Sequence, residues 1–203
     1  MSKKLSPRAE NLRRAVSVEA ARLMAEHGIS DFLLAKRKAA ERFGVEDASV
    51  LPKNIEIEAA LAEHQRLFRR DTHAASLEAQ RQAALRAMRW LEEFEPRLVG
   101  SVLSGTATEH VEVQLHLFAD GVEMVALRLL DRRIAYEVIE RRVKMNAEWV
   151  LVCPAVRFDV DDQPVEATVF PMDGIRQSPV SPLDGKPMRR ANAADLEALL
   201  QES

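Results

Sequence analysis

Two polar side chains, Glu112 and Gln114, stand two residues apart in the alternating segment VEVQLHLF. In a strand, residues i and i+2 project from one face. Glu112 and Gln114 therefore share a face, and Val111, Val113 and Leu115 fill the other. Acidic side chains at this spacing can share divalent cations and orient an in-line phosphoryl transfer. A carboxylate from a neighbouring strand usually completes such a site, and Glu166 in PVEATVF heads a segment with an apolar tail. Upstream, Gly100-Ser101 closes the apolar run RLV, and Gly105 follows. Glycine lets the backbone approach a ligand closely, and turns rich in backbone donors cradle phosphate oxygens. The candidate set is thus Gly100, Ser101 and Gly105 for phosphate, and Glu112, Gln114 and Glu166 for metal and chemistry, with Mg²⁺ or Mn²⁺ as the cation. Gln114 is the weak member, because a neutral amide removes one charge from a site that hard divalent cations want filled with carboxylates and water.

The elements that must position these residues fall into two halves. Residues 1–75 read as an N-terminal helical segment rich in Ala, Leu, Glu and Arg. VEAARLMAEHG closes on Gly28, a C-cap residue. SDFLLAKRKAAERFG opens on Ser30-Asp31 and stops at Gly44, and NIEIEAALAEHQRLFRR starts at Asn54. SLEAQRQAALRAMRWLEEF is a further helix from Ser76, with Leu77, Ala84, Leu85, Met88 and Leu91 on one face and Pro96 at its end. Residues 76–203 then switch to period two. RLVGSVL and VEVQLHLF read as strands, and VEMVALRLLDRR as a helix with Val122, Val125, Leu129 and Leu130 inward. IAYEVIERRVKM, EWVLVCPAVRFDV and VEATVFP are strands, the last two joined as a hairpin through DDQP. The Pro- and Gly-rich segment DGIRQSPVSPLDGKPMRR is loop, and Asn192 begins a last short helix. The fold class is α+β: a mixed β-sheet with flanking helices and an N-terminal helical segment.

LVGSVLSGTATEHVEVQLHLF resembles the signature of the DNA polymerase beta-like nucleotidyltransferase superfamily: an apolar strand ending in Gly-Ser, a spacer, then Asp-x-Asp or Asp-x-Glu on the next strand, with a further acid on a later one. Gly100 and Ser101 match the phosphate-binding pair, Glu112 the first acid, Gln114 the position of the second, and Glu166 the third. The match covers residues 85–171, and the whole chain looks like a group of uncharacterised bacterial proteins described as nucleotidyltransferase-like. The resemblance implies a nucleotidyltransferase-like sheet and metal-dependent nucleotidyl transfer from a nucleoside triphosphate to an acceptor that the sequence does not specify. The alternative within the same fold is a catalytically degenerate module that binds a nucleotide or phosphate without turnover.

A reading from another class rests on EAARLMAEHGISDFLLAKRKAAERFGVEDASVLPKN. It resembles the first helices of tetracycline-repressor-type regulators, with Lys36-Arg37-Lys38 as phosphate contacts, and would make the chain a helix-turn-helix DNA-binding regulator. A net charge of −3 over 203 residues argues against a nucleic-acid or anionic-membrane partner. No run approaches the roughly 20 apolar residues of a membrane span, and the basic start MSKKLSPRAENLRR lacks a following apolar segment, so the expected location is the cytoplasm. The single cysteine, Cys153, excludes an intrachain disulfide and reads as a buried, inert thiol. His116, on the face of Glu112 and Gln114, reads as polar and partly exposed. Asp159, Asp161 and Asp162 read as a solvated turn. Arg189 and Arg190 are candidates for a triphosphate clamp, whereas the Arg132-Arg133 and Arg141-Arg142 pairs read as solvated ends. Trp90, Trp149 and Tyr136 read as core.

Overall fold

The computed structural model describes residues 6–45, 47–68 and 70–202. It divides into two compact units. The first comprises the residues up to His73, with Thr108–His110 and Pro182–Asp184. It contains helices α1 (Pro7–His27), α2 (Phe32–Arg42) and α3 (Asn54–Phe68). Ser6 caps α1 with Pro7 in its first turn, and Gly28 ends it at φ +67°. Asp31 caps α2 by accepting the Leu34 N–H at 2.7 Å. Ala20, Ala21, Ala35 and Ala39 are fully buried together with Val16 and Ile57. Side chains this small let helix axes approach closely, which is how an Ala-rich stretch makes a core. The connection from α2 to α3 runs through residues 43–53 and includes a 3₁₀ turn at Ala48–Val50. That is longer than the three or four residues of a helix-turn-helix turn. Lys36 donates to the Asn54 side chain at 2.9 Å.

The second unit, Ala74–Ala107, Val111–Ser181 and Gly185–Ser203, holds the sheet. Its strands are β1 (Arg97–Val99), β2 (Val113–Phe118), β3 (Tyr136–Lys144), β4 (Val150–Val160) and β5 (Gln163–Phe170), in the order β1-β2-β5-β4-β3. The β2–β5 pair is parallel and the others are antiparallel, so the sheet is mixed. Helices α4 (Arg70–Trp90), α5 (Gly100–Ser104), α6 (Val122–Asp131) and α7 (Ala193–Gln201) complete the set. Val113, Leu115 and Leu117 of β2 join Val165, Ala167 and Val169 of β5 and Val156, Phe158 and Val160 of β4 in one core. Against that face pack Ala84 and Met88 of α4, Leu91 directly after it, Val125 and Leu129 of α6, and Leu196 of α7. The α+β class and the mixed sheet flanked by helices therefore stand as read.

Local readings differ in four places. The segment RLVGSVL is not one strand: β1 ends at Val99, and Gly100 at φ +74° turns the chain into α5. Helix α4 begins at Arg70, ahead of Ser76, because no residue between them breaks a helix. Leu130 is exposed, and only Val125 and Leu129 of α6 are fully buried. Tyr136 and Trp149 are exposed as well, since β3 is an edge strand and Trp149 lies in the turn that leaves it, whereas Trp90 packs partly buried on the core.

Candidate functional site

The face of the sheet opposite the helices carries the polar residues. Strand register aligns them in one transverse row: Val99 on β1 opposes Gln114 on β2, Gln114 opposes Glu166 on β5, Glu166 opposes Arg157 on β4, and Arg157 opposes Glu137 on β3. Neighbours in such a row stand about 5 Å apart. Glu112 lies just before β2 and reaches into the row from its end.

Glu166 sits at the centre with its side chain 7% exposed. Arg141 Nε donates to its Oε1 at 2.6 Å, and Arg141 Nη2 pairs with Oε2. Arg141 comes diagonally across β4, where Ala155 and Cys153 are small enough to leave room. Arg157 Nη2 lies 3.2 Å from Glu166 Oε2, and its Nε 3.4 Å from Glu112 Oε1. Burial alone would raise the Glu166 carboxyl; the Arg141 hydrogen bond and the Arg141 and Arg157 charges outweigh it and hold the group below its usual range. Glu112 goes the other way. Burial raises it, and the neighbouring Glu166 carboxylate raises it further against the opposing pull of Arg157. The two carboxyls act on each other in opposite directions, so as pH falls Glu112 takes up a proton before Glu166 does.

The predicted residues are thus partly brought together. Glu112, Gln114 and Glu166 lie on one face, and Gly100 lies against Gln114: a Cβ at position 100 would run into the Gln114 side-chain amide. Ser101 follows in α5, and its carbonyl accepts the N–H groups of Gly105, Thr106 and Ala107 at 2.9, 3.0 and 3.2 Å. Gly105 is at the far end of that helix, at φ +84°, nearest to Arg81 and Leu77. Among the described residues no cluster of three or more His, Cys, Asp or Glu side chains is placed to hold a metal ion. As arranged, the donor set is two carboxylates already paired with guanidinium groups plus one amide, and this does not fit Mg²⁺ or Mn²⁺, which want several free carboxylate oxygens and water.

Further along the same face the reading of His116 needs correction. It is 6% exposed rather than partly exposed, because the C-terminal segment lies over this end of the sheet. Arg190 Nε donates to His116 Nδ1 at 3.1 Å, and Arg190 Nη1 donates to the carbonyls of Gly174 and Ile175 at 3.0 and 3.2 Å. The guanidinium stacks over Phe118 and Phe170, with centroid distances of 5.0 and 5.6 Å. Burial, with the Arg190 charge, pushes His116 down to about 3, so it is a neutral acceptor. Burial, with the charge of Arg97, lowers Arg190 to about 10. Arg190 therefore fastens the Pro-rich segment to the sheet through Nε and Nη1, while its buried Nη2 has no hydrogen-bond partner. Cys153 is buried and its thiol is pushed up to about 11, as an inert core thiol should be.

Sequence reading missed Arg141 and Arg157. A signal existed for Arg157: a two-residue turn at Asp161-Asp162 fixes the β4–β5 register and puts Arg157 opposite Glu166. No comparable signal marks Arg141, which reaches Glu166 from two strands away. Among the described residues no helix is long and apolar enough to cross a membrane. Compared with known protein families, curated proteins and solved structures, the chain matches none.

Proposed function

We propose that the second unit is a nucleotidyltransferase-like fold serving as a nucleotide- or phosphate-binding module, with the polar sheet face as its site. The observation that carries this reading is the convergence of Arg141 and Arg157 on the face that also bears Gln114 and adjoins the Gly100 turn. Guanidinium forks match phosphate oxygens, and both arginine side chains keep more than a third of their surface exposed. Glu166 and Glu112 hold the forks in place as internal anions until a phosphate competes for them. Gly100 and Ser101 would line the edge of the phosphate position, and Gln114 would offer its amide.

Metal-dependent nucleotidyl transfer is the other reading of the same residues, with Glu112, Glu166 and Gln114 as ligands of Mg²⁺ or Mn²⁺. What favours it is the alignment of the three on one face. What it requires is that Glu166 release two guanidinium groups. Calorimetric titration with the four ribonucleoside triphosphates and inorganic triphosphate, with and without Mg²⁺ or Mn²⁺, tests the proposal when combined with a pyrophosphate assay. The module reading expects metal-independent binding that weakens on Arg157→Ala, and no pyrophosphate. Pyrophosphate release that depends on Glu112 and Glu166 would establish the transferase instead. No binding by any of these ligands would remove both.

A further inference from the structure

Arg190 is a cation without a counter-charge. Its hydrogen bonds all go to neutral acceptors: Nε to His116 Nδ1, and Nη1 to the Gly174 and Ile175 carbonyls. Among the described residues no carboxylate pairs with it, and the charge that acts on it is another cation, Arg97. Arg97 stands opposite His116 in the β1–β2 ladder, so its side chain leaves the sheet on the same face. Its own partners are Glu95 Oε2 at 3.1 Å and the carbonyls of Glu95 and Pro96. That Glu95 side chain is 59% exposed, so solvent screens the pair. The remaining nitrogen of the Arg190 fork, Nη2, is buried and has no hydrogen-bond partner. Nε–H and one Nη2–H of a guanidinium run parallel, so Nη2 faces the side on which Nε meets His116. Thr168, opposite His116 on β5, is buried and adds a hydroxyl to that row. A buried donor left unpaired is costly, and a partly buried cation with no anion beside it more so. An internal water would satisfy the donor and leave the charge. An oxyanion satisfies both.

We propose that Arg190, Arg97 and Thr168 form a binding site for a phosphate-type oxyanion, enclosed where the C-terminal segment lies on the sheet. A doubly charged tetrahedral anion suits it better than a carboxylate on two counts. It balances two guanidinium groups, and after meeting Nη2 it has oxygens left to accept from Arg97 and the Thr168 hydroxyl. Nη2 is covered, so the anion enters before the segment settles on the sheet and is retained by it. Free phosphate is therefore the source, since the organic group of a phosphate ester would have to pass out through the covering segment. The site is separate from the Arg141 and Arg157 pair, whose guanidinium groups already have Glu166 and Glu112 as counter-charges.

Side-chain NMR of the full chain tests this. The Arg190 Nε–H, held by His116, is sheltered from exchange and gives a signal that Arg190→Lys identifies by its loss. Sodium sulfate, phosphate, acetate and glycerol 3-phosphate are titrated in, with ionic strength held constant by sodium chloride. Sulfate and phosphate move the Arg190 signal saturably, and acetate needs a concentration on the order of tenfold higher. Glycerol 3-phosphate falls behind phosphate by a similar factor. Arg97→Gln, on protein with the wild-type circular dichroism, weakens sulfate binding on the order of tenfold. A wild-type Arg190 signal that sulfate and phosphate move no further than chloride does overturns the proposal. So does a shift confined to the Arg141 and Arg157 signals, which would assign the anion to the polar row and leave the module reading standing. Equal affinity for the ester, or indifference to Arg97→Gln, overturns the enclosed two-cation site.

Discussion

Arg157 and Glu166 oppose each other across the β4–β5 ladder, and Arg141 closes on the same carboxylate from β3, so one buried acid holds two half-exposed guanidinium groups on the polar face. Glu166→Gln removes that charge while keeping the shape. Two cations are then left side by side with weaker partners. Because both arginines are partly solvated, the expected loss of stability is about 1–2 kcal/mol rather than the larger cost of a fully buried orphan charge. The functional effect should have the opposite sign. With the internal anion gone, the arginines are available, and affinity for inorganic triphosphate should rise. A fall in that affinity, measured by titration on protein shown to be folded, would mean that Glu166 holds the ligand through a metal.

The same pair depends on the turn between the strands. Asp161 and Asp162 both have positive φ, 49° and 62°, which is the requirement of the tight hairpin turn that continues the strand twist. Asp161 also pairs with Arg86 at 2.7 Å, so it has a reason to stay. Asp162→Gly relieves the left-handed strain at the position where glycine is favoured, and should stabilise the protein by about 0.5–1 kcal/mol. Urea unfolding checks it: the midpoint should rise with an unchanged slope, and a lower midpoint would show that Asp162 contributes more through its side chain than its backbone costs.

What sequence could and could not supply follows from the range of the interactions. Helix caps at Asp31 and Asn192, the Gly28 stop and the β4–β5 hairpin are set by residues close in sequence, and they form where the pattern places them. The co-facial Glu112, Gln114 and Glu166 were legible because period two fixes a face. His116 was not, because its burial is decided by Arg190, whose segment returns to the sheet much later in the chain. Arg141 likewise reads as a solvated strand residue until strand order brings it to Glu166. Tyr136 and Trp149 carried an apolar signal that sequence assigns to a core, and only the edge position of β3 reveals that they face outward.

Gly100 offers a prediction that separates backbone from side-chain strain. It stands at φ +74°, and a Cβ there meets the Gln114 amide. Gly100→Ala should cost about 1–2 kcal/mol from the left-handed backbone, plus about 1 kcal/mol or more from the forced Gln114 rotamer. Adding Gln114→Ala removes the clash but not the backbone cost. The double variant should therefore regain roughly 1 kcal/mol relative to the value expected from adding the single effects. Strict additivity in a double-mutant cycle would show that the two residues do not constrain each other.

Acid sensitivity should be traceable to His116. The imidazole is held neutral, at about 3, by burial and by Arg190, whereas in the unfolded chain it titrates near 6.5. Between these values the unfolded state binds the extra proton, so stability rises with pH and is lost as pH falls from 6.5 toward 3. The slope approaches about 1.4 kcal/mol per pH unit for one proton. Glu166, held low, adds loss in the same direction only below its unfolded value of 4.5. Glu112, held high, acts oppositely, with stability lost as pH rises through its folded value. The groups against His116 are the Phe170 ring, which does not titrate, and Arg190, lowered only to about 10 and so charged between pH 5 and 7. His116→Gln keeps an acceptor for the Arg190 Nε–H and removes the proton site. Urea unfolding at pH 7, 6 and 5 should show the wild type losing stability below 6.5 while the glutamine variant stays nearly level once the shared Glu112 contribution is subtracted. If both proteins lose stability in parallel over that range, His116 is not the buried neutral acceptor and another group sets the acid response.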